Sequence, residues 1–302
     1  MAKVKTVLII GGSGFVGTRL ALKFREGYKV FATYNTHKIT IPGVTYLPLD
    51  LENENWVKRI VYTARPNIVI YVAGNNDPEW TEANPTVADF LHVGGVSNVA
   101  NATDSMQLRF VYISSSYVFD GNRGNYRETD SALASSLHGK LINAGENFVR
   151  GRYFNHLIVR SSPLLGRGNG RNYSVFDKMR ILLDRDQRVE LPNYELHSFA
   201  NISGFTDMVK RVIDSGSKIK TIHYGGTTKL TFFQMGKLFA EKFGFNPALI
   251  VEKARLESDD DKGSTIKDYS LNSTQMATTL NIKPLLVEES LDLIKQLLVP
   301  SL

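Results

Sequence analysis

The stretch Val4-Lys5-Thr6-Val7-Leu8-Ile9-Ile10-Gly11-Gly12-Ser13-Gly14-Phe15-Val16-Gly17 decides how the rest of the 302-residue chain is read. A β-rich apolar run ends on closely set glycines, and from Phe15 to Phe24 apolar residues return at helical spacing through Val16, Leu20 and Leu22. Strand, glycine turn and helix follow. Gly11, Gly14 and Gly17 form a G-x-x-G-x-x-G series. Lacking a Cβ, the first two let backbone come close to a pyrophosphate, where the N–H groups of Phe15 and Val16 and the helix dipole favour an anion. The third lets helix pack on strand. Glycines that serve only a tight turn are the competing reading, and the strand and helix on either side weigh against it.

The pattern repeats outward from this turn. Strands are expected over 28–34, 44–49, 68–72 and 109–113, with helices over 54–64 and 86–104 between them. Parallel neighbours need crossovers that cover both sheet faces, so the alternation implies an α/β fold with a doubly wound, Rossmann-like parallel sheet. After Ile158-Val159-Arg160 the alternation weakens into a loop over 167–172, a helix over 175–184 and smaller mixed elements. Residues 1–160 are therefore read as a dinucleotide-binding core. Residues 161–302 are read mainly as a smaller, interleaved C-terminal substrate-binding lobe, with some segments returning to the core sheet.

Composition narrows the function classes. With 42% hydrophobic and 22% charged residues the chain is an ordinary globular one, which sets disorder, collagen and coiled coil aside. The absence of cysteine removes disulfides, thiolate nucleophiles and cysteine-ligated metals, and it permits a reducing cytoplasm, the expected location. No run approaches the roughly 20 apolar residues of a membrane span. Lys and Arg number 36 against 30 acids, but the basic residues are scattered, with Arg167, Arg171 and Lys178 the densest group. A small anionic ligand accounts for that excess better than a nucleic acid. No metal site is expected: Ser258-Asp259-Asp260-Asp261 reads as a solvated loop, and His156, His197 and His223 as structural.

The second strand bears on the choice of dinucleotide. An acid at its end would bind the adenosine ribose and repel a 2′-phosphate, and Ala32-Thr33-Tyr34-Asn35-Thr36-His37-Lys38 contains none. Asn35, His37 and Lys38 suit the phosphate of NADP, so NADP is favoured over NAD, with solvated loop residues as the alternative. Asp50, followed by Leu51, is placed either to cap the next turn or to meet the adenine amino group.

Further segments carry a resemblance: Val72-Ala73-Gly74; Ile113-Ser114-Ser115-Ser116-Tyr117-Val118-Phe119-Asp120-Gly121; Tyr126-Arg127-Glu128-Thr129-Asp130; Gly145-Glu146; and Arg160-Ser161-Ser162 followed by Gly166. With the glycine series, they make the chain similar to the extended short-chain dehydrogenase/reductase superfamily. Within it the chain resembles the dTDP-4-dehydrorhamnose reductases and the related regulatory subunit of methionine adenosyltransferase. The resemblance adds Ala73 and Gly74 to the expected cofactor contacts. It also implies reduction of a sugar ketone by a Tyr proton donor, a Lys four residues later that lowers the Tyr pKa, and a Ser or Thr on the carbonyl oxygen. A phenol needs such a cation to act near neutrality, and the four-residue spacing puts both groups on one helix face.

The ungapped register departs from this pattern. It puts His138 at the Tyr position and Ile142 at the Lys position, while Lys140 is turned by about 200° to the other side of the helix. A slipped register pairing Ser136 with Lys140 needs an insertion before Gly145. Ser115 keeps the carbonyl-binding hydroxyl, Ser116 replaces the family's Asp, and His92 stands where relatives carry Asn. Ser115, Tyr117 and His138 are thus the candidate catalytic residues, with a plain packing role as the other reading of His138. Arg167 and Arg171 are the candidates for pairing with the diphosphate of a nucleotide sugar, or are plain loop residues. Two functions stay open: a divergent NADP-dependent oxidoreductase of nucleotide-sugar ketones with an altered site, and a non-catalytic regulatory or assembly subunit that keeps dinucleotide binding. A homo-oligomer or a protein partner is compatible with either.

Overall fold

In chain order, β1 (Thr6–Ile10), β2 (Lys29–Tyr34), β3 (Val44–Pro48), β4 (Ile68–Tyr71), β5 (Arg109–Ser115), β6 (His156–Ser161) and a last strand, Thr221–Tyr224, form one seven-stranded sheet. Across the sheet the order is Thr221–Tyr224, β6, β5, β4, β1, β2, β3, and β1 pairs in parallel with β2 and β4, β2 with β3, and β4 with β5. The chain reverses its direction of travel across the sheet after β3, which is the doubly wound arrangement. Val7 to Ile10 and all of β4 are buried, as continuous apolar runs covered on both faces must be. The structure, a computed structural model, describes residues 4–103, 106–153, 155–169, 174–253 and 266–296.

Helices α1 (Phe15–Phe24) and α2 (Glu54–Ala64) follow β1 and β3. The ends of α2 are fixed locally: the Asn53 side chain accepts the Trp56 N–H at 3.0 Å, and Arg65 closes the helix in the left-handed region at φ 44°. The single helix expected over 86–104 is instead broken. Short α3 (Pro78–Ala83) and α4 (Pro85–Asp89) lead into a π turn, Phe90–Gly94, and only then into α5 (Gly95–Thr103). The buried Tyr71 hydroxyl donates to Leu91 O at 2.6 Å inside the π turn. Helix α6 (Leu137–Arg152) begins at Ser136, whose hydroxyl accepts the Gly139 N–H at 3.1 Å.

The chain forms two units. Unit 1 comprises residues 1–119, 131–160 and 206–222; unit 2 comprises 120–130, 161–205 and 223–302. Residues 120–130, assigned to the core on sequence, belong to unit 2, because Tyr126 N donates to Ser270 O at 3.0 Å and Asn272 N to Tyr126 O at 2.8 Å. Unit 2 has its own core, in which Phe176 of α7 (Val175–Leu183) meets Phe239 edge-on at 4.8 Å beside Met179, Leu191 and Leu291.

Candidate functional site

The glycine turn is pinned from below. Gly11 N donates to the Thr33 hydroxyl at 3.1 Å, Ser13 N to Thr33 O at 3.2 Å, and the Tyr46 hydroxyl to Gly12 O at 3.3 Å. Gly11 sits at φ 87°, and a Cβ there would lie 2.6 Å from Ala73 N. A Cβ at Gly17 would lie 2.2 Å from Gly11 O. Both glycines are thus demanded by backbone packing. Gly14 differs: a Cβ there would meet only Gly11 O, at an ordinary 3.4 Å. This space adjoins the N-terminus of α1, where Gly14 is the cap residue, no side chain caps the helix and the first turn holds no acid. The donors of a helix start and an open position beside them fit a pyrophosphate, so the residues suit the dinucleotide that the sequence implied.

Around that turn, Asn35, His37 and Lys38 are exposed beyond β2. Asp50 Oδ1 accepts the Glu52 N–H at 3.0 Å, and Asn98 Nδ2 donates to Leu51 O at 2.8 Å. The first of the two roles read for Asp50, capping its turn, is therefore filled by one of its oxygens.

The start of α6 is arranged differently. Tyr117 and His138 are brought together, their rings edge-on at 5.5 Å, and Ser115, at the end of β5, accepts the Tyr117 N–H at 3.4 Å. His138 is 0% exposed. Its Nε2 lies 3.1 Å from Asn76 Oδ1, and its Nδ1 lies 2.9 Å from the Thr81 hydroxyl, which donates to Asp77 O at 3.1 Å. A second imidazole, His92 of the π turn, stands edge-on at 5.8 Å, and burial pushes its pKa below the ordinary value. Ile142, one turn along α6, is buried on the same side, whereas Lys140 is exposed and Ser136 is spent as the helix cap. Neither member of the slipped Ser136 and Lys140 pair is placed where His138 and Ile142 lie.

Sequence reading missed Asn76 and Thr81. The signal was present in Asp77-Pro78: Asp77 accepts from Glu79 N and Trp80 N, and a proline at the first helical position starts α3, which carries Thr81. It also missed what joins two of the resembling segments. Glu146, 0% exposed, receives Arg160 Nε at 2.9 Å and Nη2 at 2.8 Å, Arg150 Nη2 at 2.6 Å and the Ser114 hydroxyl. Burial pushes the carboxyl up, but the bonds and charges of Arg160 and Arg150 and the Ser114 hydroxyl outweigh it and leave its pKa below the ordinary value.

In unit 2, Asp120 accepts from the Tyr126 hydroxyl, and Glu128 accepts the His223 N–H at 2.9 Å. Arg167 is exposed in that unit, while Arg171 and the run 258–261 lie outside the described residues. Among the described residues no group of three His, Asp or Glu side chains is placed to hold a metal ion, and no helix is long and apolar enough to cross a membrane.

The sequence profile of the RmlD substrate binding domain matches residues 5–295. The methionine adenosyltransferase 2 subunit beta of Bos taurus is 26% identical over 252 residues, covering 79% of this chain and 72% of that protein. The dTDP-4-dehydrorhamnose reductase of Mycobacterium tuberculosis is 24% identical over 248 residues, covering 80% and 76%. Among solved structures, the dTDP-4-dehydrorhamnose reductase of Bacillus anthracis in complex with NADP superposes with a TM-score of 0.80 at 22% identity, over 98% of this chain and 99% of that one. The profile spans glycine turn, sheet and C-terminal segments alike, and the chain belongs to the RmlD substrate binding domain family.

Proposed function

We propose that this protein binds NADP at the glycine turn and works as a regulatory or assembly subunit with little or no reductase turnover. Gly11, Gly14 and Gly17 with the N–H groups of Phe15 and Val16 receive the pyrophosphate. Asn35, His37 and Lys38 receive the 2′-phosphate, Asp50 and Leu51 flank the adenine, and Ala73 and Gly74 line the inner wall. When bound, NADPH is a hydride source. The observation that carries the loss of turnover is His138. By the ungapped register it stands at the family's proton-donor position, yet it is sealed from solvent with both ring nitrogens engaged, and Ile142 offers no hydrogen bond to a ribose. The similarity to methionine adenosyltransferase 2 subunit beta supports a protein partner. A chain without cysteine suits a reducing cytoplasm.

The second reading is a divergent oxidoreductase of nucleotide-sugar ketones, in which Ser115 orients the carbonyl, Tyr117 or His138 delivers the proton and Arg167 and Arg171 hold the diphosphate. It is favoured by the similarity to dTDP-4-dehydrorhamnose reductases and by the Tyr117 ring lying beside His138, with Ser115 accepting the Tyr117 N–H.

Fluorescence titration with NADPH and NADH, followed by cofactor oxidation with a dTDP-4-dehydro sugar, separates the two. The expected result is saturable NADPH binding, tighter than NADH, with no oxidation above background in wild type or in His138→Ala. Turnover that disappears in His138→Ala establishes the second reading and sinks the first. Failure to bind either cofactor overturns both.

A further inference from the structure

At the opposite end of the sheet from the glycine turn, unit 1 contains a cavity of about 600 Å³ whose lining includes Lys5, Arg109, Lys218, Lys220, Asn67 and Gln107. These residues sit where strands begin: Lys5 precedes β1, Asn67 precedes β4, Gln107 precedes β5, which Arg109 opens, and Lys220 precedes the strand Thr221–Tyr224. Among the described residues, four cations and no carboxylate line the cavity. Asp214, next to the lining residue Ile213, is already taken by Lys210 and the Tyr28 hydroxyl.

Arg109 is the informative member. It is 8% exposed, its Nη1 and Nη2 donate to Ser217 O at 2.6 Å and Ile219 O at 3.2 Å, and its Nε finds no acceptor among the described residues. Backbone carbonyls satisfy part of its donor fork, but no carboxylate among the described residues balances its charge. Burial alone pushes its pKa down, and the charges of Lys220 and Arg109 reach His156, where they add to burial in lowering that pKa. A nearly buried guanidinium without a counter-ion, in a cavity with three lysines, is stabilised when an anion enters. The amide of Asn67 is oriented, since its Oδ1 accepts the Thr6 N–H at 2.9 Å. Its NH₂ is then the group left to donate.

We propose that this cavity is a second anion site, separate from the dinucleotide site, which takes a small ligand carrying more than one phosphate group. The volume lies within the range of small-molecule pockets, and the charge calls for a polyanion rather than a single carboxylate.

The test uses the full chain and tripolyphosphate as the probe, measured by calorimetry with saturating NADPH present and absent. Wild type is expected to bind tripolyphosphate in both conditions and to melt at a higher temperature with it. The exposed pair Lys5→Ala with Lys218→Ala is expected to weaken that binding at least tenfold while NADPH titration is unchanged. Arg109→Lys, which keeps the charge but loses the fork, is expected to weaken it less. Loss of tripolyphosphate binding when NADPH is added, no binding by wild type, or equal binding by the double variant each overturns the second site. A single-stranded oligonucleotide that binds more tightly than tripolyphosphate through the same lysines overturns the small-ligand assignment. None of these readings depends on turnover, so the inference and the proposed function fail separately.

Discussion

Glu146→Gln is expected to cost about 3–5 kcal/mol of folding stability, the usual penalty for removing one partner of a buried ion pair. The variant removes the charge that Arg160, 2% exposed, depends on in β6, while Arg160 also lies over the Phe119 ring at 5.0 Å. A neutral amide offers one acceptor oxygen to four donors that now converge on two. Urea unfolding at pH 7, followed by circular dichroism, measures the loss, and a change below about 1 kcal/mol rules out the buried pair as a major support of unit 1. The pH dependence has a definite sign. Because the folded carboxyl lies below the ordinary glutamate value of 4.5, its contribution is complete above that value and is lost as pH falls through the folded pKa. The stability gap between wild type and Glu146→Gln should therefore be widest near neutrality and close in acid. A constant gap down to pH 3 would show that packing, not charge, is at stake.

The glycine series yields the second large effect, as a contrast between two substitutions. Gly17→Ala drives a methyl against Gly11 O at 2.2 Å and Gly12 Cα at 2.8 Å, contacts that only backbone movement can relieve. It is expected to lose about 1–3 kcal/mol of stability and at least tenfold in NADPH affinity. Gly14→Ala adds its methyl where the nearest atom is 3.4 Å away, on backbone at φ −70° and ψ 174° that alanine adopts freely. Its stability should stay within about 0.5 kcal/mol of wild type, while NADPH binding still falls at least tenfold because the methyl occupies the phosphate's space. Thermal melts and NADPH titrations of both variants decide the matter. If Gly14→Ala binds as wild type does, the glycines serve the turn alone and the cofactor assignment fails.

The fold was legible where one residue type at one spacing has one physical use. Strand, glycine turn and α1 could be read because only glycine tolerates the Gly11 and Gly17 positions. The break between α4 and α5 was not legible as such: the π turn there meets the Tyr71 hydroxyl, which reaches Leu91 O from β4. Local periodicity carries no trace of a partner so distant. The same holds for α6. Sequence placed His138 and Ile142 on one side of α6, but it could not show that Asn76 and Thr81 engage the imidazole, since both lie on the far side of β5 in the chain. The basic cavity is the clearest case. Lys5, Arg109 and Lys218 look scattered along the sequence and are gathered only because the strands they precede or open all begin at one end of the sheet.

The division of unit 1 among three chain segments bears on biosynthesis. After Arg160 emerges, the sheet still lacks its last strand, which arrives only with Thr221–Tyr224. At ribosomal speed the intervening residues take roughly 3–12 s to be made, and through that interval β6 is an open strand edge on a nascent chain. Chaperone capture or misassembly should concentrate in that window, and ribosome-stalled chains ending just before residue 221 are the species in which to look for it.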